Sequence, residues 1–120
     1  MKIESLSRAA FWLCVLTLLY LSLVPGTLRP QTGASGHFEH FIAYAGTGFL
    51  FAPGTTLRSR LFAALALTAL SGAMELAQLS IPDRTGEFDG FFYSSLGAWL
   101  GIGGGSLVWS LWLAYRTQRA

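Results

Sequence analysis

The residues able to exchange protons gather near one end of the apolar segments of this sequence. Both histidines, His37 and His40, stand where the second apolar segment begins. Of the six acidic residues, four border the same ends of the segments: Glu39, Asp83, Glu87 and Asp89. Glu75 lies within the third segment. Because imidazole and carboxylate groups are the usual acids and bases of proteins, this end is where acid–base chemistry is expected.

Helical spacing places these groups on two polar faces. The face of the second segment consists of His37, His40, Tyr44 and Thr47. The face of the third consists of Ser71, Glu75 and Gln78. At ~1.5 Å per residue, Glu75 lies ~10 Å inside Pro82 and His40 lies ~5 Å inside His37, so the two faces are at similar depth. We therefore expect side-chain atoms of Glu75 and His40 within about 6 Å of each other, with Arg84 over the same opening.

Glu75 is the most informative residue, because a carboxylate at the centre of a membrane-spanning helix costs about 2.5 to 3.5 kcal/mol. Such groups usually face the interior of the helix bundle and have a partner. Two interpretations remain open. In the first, Glu75 and His40 are candidate catalytic residues that act together as acid and base. In the second, Glu75 only holds the helices together through polar contacts with Gln78, a tyrosine or a histidine.

Further polar residues near the same end are candidate binding residues: Tyr44, Gln78, Arg84, Asp89 and His37. For Arg84 two interpretations remain open: it holds a phosphate or another anionic group, or it only pairs with the neighbouring Asp83 and Glu87. Nitrogen and oxygen ligands for a metal could come from His37, His40, Glu75 and Asp89. These residues form no dense ligand motif, so we expect neither a metal nor another cofactor.

Four apolar segments must position these residues, at about 9–25, 37–53, 61–81 and 90–115. The sequence is 52% hydrophobic and 12% charged, about half the charged fraction of soluble domains. Crossing the ~30 Å hydrocarbon core takes about 20 residues, which the third and fourth segments supply, whereas the first and second are short. The sequence predicts an all-α polytopic membrane protein, a four-transmembrane-helix bundle forming one domain over 1–120. Whether the second segment crosses completely is left open.

The basic residues predict the orientation of these segments. With four crossings, one side of the membrane holds six of the eight Lys and Arg residues: Lys2, Arg8, Arg58, Arg60, Arg116 and Arg119. The other side holds Arg29 and Arg84. The positive-inside rule then places both termini in the cytoplasm and the polar faces at the outer side of the cell inner membrane. The basic residues form no patch with interleaved aromatics, so a nucleic-acid partner is not expected.

Small residues recur at every fourth position in two segments. The fourth carries Gly97, Gly101 and Gly105, and the third carries Ala69, Ala73 and Ala77. Small residues let membrane helices approach closely. We expect these two rows to pack the third and fourth helices together. The alternative is that the glycine row forms a homodimer or docks a partner membrane protein.

Two sequence blocks resemble the VanZ-like family of small bacterial membrane proteins. One is His40-Phe41-Ile42-Ala43-Tyr44 followed by Gly46 to Phe51. The other begins with Glu75-Leu76-Ala77-Gln78, continues with Ile81-Pro82-Asp83-Arg84 and Asp89, and ends with Leu96-Gly97-Ala98 and Gly101. The sequence departs from the family at Gly36 and His37, where an Asp-Lys pair is common, and at Ser94, where Asn is common.

The resemblance implies a four-helix protein of the cytoplasmic membrane that is linked to the cell envelope. The name-giving branch of the family is associated with antibiotic resistance, to a glycopeptide that carries a lipid tail. We therefore expect an outward-facing polar pocket that binds, and in an enzymatic version modifies, a membrane lipid, a lipid-linked envelope molecule or a glycopeptide-type molecule.

Two other functions compete with this expectation. The first is a non-catalytic membrane helper or scaffold that docks a partner protein through its glycine-rich fourth helix. The second is a lipid phosphatase similar to the phosphatidic-acid phosphatases, suggested by Arg29-Pro30 and Ser35-Gly36-His37. That family has a lysine seven residues before the Arg, where this sequence has Ser22, and a second histidine beyond His40, which this sequence lacks.

Overall fold

The chain is all-helical in a computed structural model that describes residues 2–28, 33, 35–82 and 88–120. Its four α-helices are α1 (Ile3–Leu23), α2 (Gly36–Phe51), α3 (Leu57–Gln78) and α4 (Phe88–Arg119), with a short 3-10 turn at Gly26–Leu28 after α1. No strand occurs in these described ranges. The predicted all-α class and the number of helices are confirmed.

Three of the helices, α1, α3 and α4, are long and apolar enough to cross a membrane. Helix α2 has 16 residues and is about 24 Å long, shorter than the ~30 Å hydrocarbon core. A fourth crossing therefore remains a prediction. Helices α1 and α4 are longer than the apolar segments that predicted them, because polar residues before Ala9 and after Tyr115 continue the helices.

Side-chain caps fix the ends of α2 and the start of α3. The Ser35 hydroxyl accepts a hydrogen bond from the Phe38 backbone N–H at 3.2 Å, so it caps the N-terminus of α2. Thr56 does the same for α3. Between them Gly54 has φ of +72°, a left-handed conformation that glycine adopts without strain. The Arg60 guanidinium donates to the Ala52 carbonyl at 3.0 Å, and that carbonyl, at the end of α2, also accepts from the Thr55 hydroxyl at 2.7 Å.

The glycine row of α4 packs against α2, and the expectation that it packs against α3 is wrong. A Cβ atom on Gly97, Gly101 or Gly105 would collide with the backbone of Phe41, Ala45 and Phe49 respectively. On α2, a Cβ atom at Gly48 would lie 2.7 Å from the Ala98 carbonyl oxygen. Both helices therefore contribute small residues to one backbone contact. The residue pairs advance together along the two helices, so α2 and α4 run in the same direction.

This contact changes the role that the glycine row can have. All three of its glycines are buried by α2, so a partner protein or a second copy could reach them only by displacing α2. The alanine row of α3 lies elsewhere, since Ala69 and Ala73 are exposed. Helix α3 contacts α4 through other residues; the Trp99 indole, for example, donates to the Thr68 hydroxyl at 3.0 Å.

Helices α1 and α3 run opposite to α2 and α4. The Gln78 amide donates to the Ser22 carbonyl at 3.2 Å, which joins the ends of α3 and α1. The Ser7 hydroxyl donates to the Leu50 carbonyl, which joins the start of α1 to the end of α2. The ends of α1 and α3 therefore lie at the same end of the bundle as the starts of α2 and α4. We call this end, which carries the candidate site, the polar end.

Candidate functional site

His40 and Glu75 meet at the polar end of the bundle. The His40 Nδ1 atom on α2 lies 3.6 Å from the Glu75 Oε1 atom on α3. The predicted separation of about 6 Å or less is therefore confirmed. The two side chains retain 23% and 11% of their accessible surface, so the pair is enclosed on most sides but still reachable.

Ser94 of α4 completes this cluster. Its Oγ atom lies 3.0 Å from the His40 Nδ1 atom, and the residue is only 1% exposed. Ser94 stands where Asn is common in the VanZ-like family, and it was not among the predicted site residues. The signal that could have identified it is its spacing: Ser94 follows Gly90 by one helical turn, on the face of α4 that continues to Gly97 and Gly101.

Gly90 of α4 makes room for the Glu75 carboxylate. A Cβ atom at position 90 would lie 2.9 Å from the Glu75 Cδ atom and closer still to its Oε1 atom. The carboxylate is therefore in contact with the backbone of α4. One helix thus supplies both neighbours of the pair, since Gly90 lies against Glu75 and Ser94 lies against His40.

Substituting Gly90 with alanine is expected to displace the Glu75 carboxyl group and, because that group is the end of a flexible side chain, to cost only about 0.5 to 1.5 kcal/mol, the usual penalty of an unfavourable rotamer. The matched control is Gly103→Ala on the same helix, where a Cβ atom meets nothing within 4 Å. There alanine should be neutral or stabilising by about 0.5 to 1 kcal/mol. Unfolding free energies in detergent would measure both. Equal tolerance of the two substitutions would contradict the assigned contact.

Tyr44 follows His40 by one helical turn on α2, and Gln78 follows Glu75 by one turn on α3. Tyr44 is only 3% exposed. Gln78 is also buried, and its amide nitrogen donates to the Ser22 carbonyl. Since that carbonyl belongs to the last turn of α1, the observed contact of Gln78 is one that joins helices.

The remaining predicted binding residues lie nearer the surface of the polar end. The His37 ring stacks on the Tyr93 ring, with their centroids 4.8 Å apart and their planes 13° from parallel. This stack joins α2 to α4 one helical turn outside His40. Asp89 is exposed in the first turn of α4, next to Gly90. Arg84, the predicted anion holder, lies outside the described residues.

The cluster is suited to holding a proton rather than to activating a serine. In a Ser–His–carboxylate relay the hydroxyl and the carboxylate occupy opposite nitrogens of the imidazole. Here Ser94 and Glu75 both approach Nδ1. The Ser94 hydroxyl is moreover almost fully buried, so it is not placed to attack a substrate. The imidazole and the carboxylate can instead share or exchange a proton.

Within the described ranges, no group of three or more His, Cys, Asp or Glu residues is arranged to hold a metal ion. No family model, curated protein or solved structure matches this chain. The resemblance to the VanZ-like family therefore remains a prediction based on the residues quoted above.

Proposed function

We propose that this chain is a multi-pass protein of the cell inner membrane that binds a lipid-linked or glycopeptide-type envelope molecule at the His40–Glu75 site. The observation that carries the proposal is the contact between these two ionisable side chains at 3.6 Å, at the polar end of the bundle. Ionisable groups within membrane helices mark substrate or proton pathways when they are not simply structural.

The exposure of the pair favours a binding site over a purely structural contact. Two polar side chains that join helices through backbone carbonyls, Ser71 on Phe91 and Gln78 on Ser22, are almost completely enclosed, at 1% and 3% exposure. The His40 side chain retains 23% of its surface although it contacts both neighbouring helices. A group that only held helices together would gain from complete enclosure, because water competes for its hydrogen bonds.

The surroundings of the pair fit a molecule with a polar head and an apolar tail. The carboxylate of Glu75 accepts hydrogen bonds, and the imidazole of His40 can donate or accept one. Large apolar side chains are exposed around the same end of the bundle, among them Phe38, Phe88 and Phe92. A lipid-linked ligand would place its head group at the pair and its tail along these side chains.

Binding can be tested with the full-length protein in lipid nanodiscs. The probes are a polyprenyl-pyrophosphate-linked peptidoglycan precursor and a glycopeptide that carries a lipid tail. A ligand present at 100 times its Kd should stabilise the protein by about 2.7 kcal/mol, which a thermal-unfolding assay detects. Phosphatidylcholine serves as the control lipid. Absence of stabilisation by both probes would contradict the proposal.

The proposal also fixes an orientation, with both termini in the cytoplasm and the His40–Glu75 pair near the outer surface. It follows from the six-to-two distribution of Lys and Arg under the positive-inside rule. Reporter fusions at Met1 and at Ala120 should both give a cytoplasmic signal. A periplasmic signal from either terminus would overturn the topology and, with it, the outward-facing site.

A further inference from the structure

Helix α4 extends well past the other helices at the end of the bundle opposite the polar end. Gly105 lies against Phe49 and Ala52, at the end of α2. From Gly105 to its last residue, Arg119, the helix continues for about 21 Å. Trp109 is its last buried residue, and every residue from 110 to 120 is exposed. We call residues 111–119 the α4 tail.

The α4 tail passes from apolar through aromatic to basic side chains. Leu111 and Leu113 come first and are 61% and 43% exposed. The rings of Trp112 and Tyr115 then stack, with their centroids 6.1 Å apart and their planes 26° from parallel. The Arg119 guanidinium carbon lies 5.0 Å from the centroid of the Tyr115 ring. A bilayer has the same order of partners, from hydrocarbon through the interface that favours Trp and Tyr to the phosphate groups.

The spacing along the α4 tail also fits the thickness of this interface. The head-group layer on each side of a bilayer is about 5 to 8 Å thick, from a ~30 Å hydrocarbon core and a ~40–45 Å total. The rise from Tyr115 to Arg119 is about 6 Å. With the Tyr115 ring at the edge of the hydrocarbon, the guanidinium groups of Arg116 and Arg119 therefore lie at the depth of the phosphates.

The charge at this end of the bundle selects an anionic partner. The starts of α1 and α3 and the end of α4 bring six basic residues there: Lys2, Arg8, Arg58, Arg60, Arg116 and Arg119. Among the described residues, Glu4 is the one acidic residue at this end, and α4 has none after Asp89. Guanidinium groups bind phosphate oxygens through paired hydrogen bonds. Phosphatidylcholine carries a cation beside its phosphate, so an excess of positive charge favours phospholipids without one.

We propose that the α4 tail is a binding surface for anionic phospholipids, whose phosphate groups are held by Arg116 and Arg119 while their acyl chains cover Leu111 and Leu113. This surface is a second site, at the opposite end of the bundle from the His40–Glu75 pair, and it requires only that the chain crosses a membrane. It fixes the depth of α4 and, through the backbone contact between the two helices, the depth of the short helix α2.

The test is the indole ¹⁵N spectrum of full-length protein in phosphatidylcholine nanodiscs that contain a small, equal fraction of one of two spin-labelled lipids. The lipids are phosphatidylglycerol and phosphatidylcholine, each labelled near the top of an acyl chain. The chain has four tryptophans, and a Trp112→Phe variant assigns the Trp112 signal. Labelled phosphatidylglycerol should broaden this signal at least about fivefold more than labelled phosphatidylcholine does, and less so as salt is added. Equal broadening by the two lipids would overturn the proposal.

Two double variants with the same change in net charge locate the preference. Arg116→Gln with Arg119→Gln should bring the two lipids to nearly equal broadening. Lys2→Gln with Arg58→Gln removes the same charge from exposed positions beside the bundle and should retain most of the preference. Arg116→Lys with Arg119→Lys keeps the charge and should retain it as well, which excludes misfolding of the tail as the cause. An equal loss in the first two variants would assign the preference to overall charge and refute the site.

A second copy of the chain is the other occupant that the apolar turns of the α4 tail could take. It would shield Trp112 from both labelled lipids, and the mass of the particle in nanodiscs would be that of a dimer. Either result would overturn the proposal. The readout needs no ligand at the His40–Glu75 pair, so it stands or fails independently of the two binding probes.

Discussion

Substituting Gly101 with leucine is expected to destabilise the bundle by about 3 kcal/mol or more, the upper end of the range for overpacking. A Cβ atom at this position would lie 2.7 Å from the carbonyl carbon and from the Cα atom of Ala45, and closer still to its carbonyl oxygen. Because these are backbone atoms, no change of side-chain rotamer relieves the collision. Helices α2 and α4 would have to separate, and His40 and Ser94 would separate with them.

The control for this prediction lies two residues further along α4. A Cβ atom at Gly103 meets nothing within 4 Å, so Gly103→Leu should cost far less. Ile102→Leu is a second control, but Ile102 is buried against Gly48, and the swap should cost up to about 1.5 kcal/mol. Thermal unfolding in detergent would rank the three variants. Similar losses for Gly101→Leu and Gly103→Leu would show that α2 and α4 are not in backbone contact.

His40→Leu is expected to destabilise the protein by about 2 kcal/mol, because it leaves the Glu75 carboxylate enclosed without the imidazole beside it. Glu75→Gln should cost less, about 1 kcal/mol, since the amide has nearly the same shape and carries no charge. In the presence of Glu75→Gln, the additional cost of His40→Leu should be small. The two substitutions are therefore expected to be strongly non-additive.

A double-mutant cycle measures this coupling directly. Unfolding free energies of the wild-type protein, both single variants and the double variant give the interaction energy of the pair. Thr47→Val serves as a control partner for Glu75→Gln, because the Thr47 hydroxyl donates to the Ala43 carbonyl of its own helix. Additive costs for His40→Leu and Glu75→Gln would contradict an energetic contact between the two side chains.

The contact between His40 and Glu75 could be predicted because it depends on helical spacing and on distance along each segment, and both can be counted in the sequence. Helical spacing fixes the face on which each residue lies, and the rise per residue fixes its depth below the end of its segment. Four helices in alternating directions then bring the start of α2 and the end of α3 to the same level. A buried carboxylate with one nearby imidazole at that depth leaves few alternative partners.

The partner of the glycine row could not be predicted in the same way. Any small-residue row permits close approach, and both α2 and α3 offer one. The fit between the surfaces of α2 and α4 decides which helix the glycine row packs against. Gly48 of α2 lies against Ala98 and Ile102 of α4, and Ala45 of α2 lies against Gly101. Ser94 was missed for a related reason: its spacing from Gly90 places it on the glycine face of α4, but its contact with His40 depends on which helix that face packs against.

Helix α2 is short both in the sequence prediction and in the structure. Its 16 residues are too few to cross ~30 Å as a straight helix, yet it runs beside α4 from Gly97 to Gly105. For the fourth crossing that we propose, local thinning of the bilayer or the flanking residues of α2 must make up the difference in length. The turn at Pro53 and Gly54 and the cap at Ser35 determine this length.

The most direct test of the central claim is the affinity of Glu75→Gln for whichever of the two probes binds the wild-type protein, measured in nanodiscs alongside its stability without ligand. If the His40–Glu75 pair binds the ligand, Kd should rise at least about tenfold, a loss of about 1.4 kcal/mol in binding, while the unfolding free energy falls by no more than about 1 kcal/mol. An unchanged Kd in the folded variant, or a loss of binding that only accompanies a loss of folding, would show that His40 and Glu75 hold the helices together and do not form a binding site.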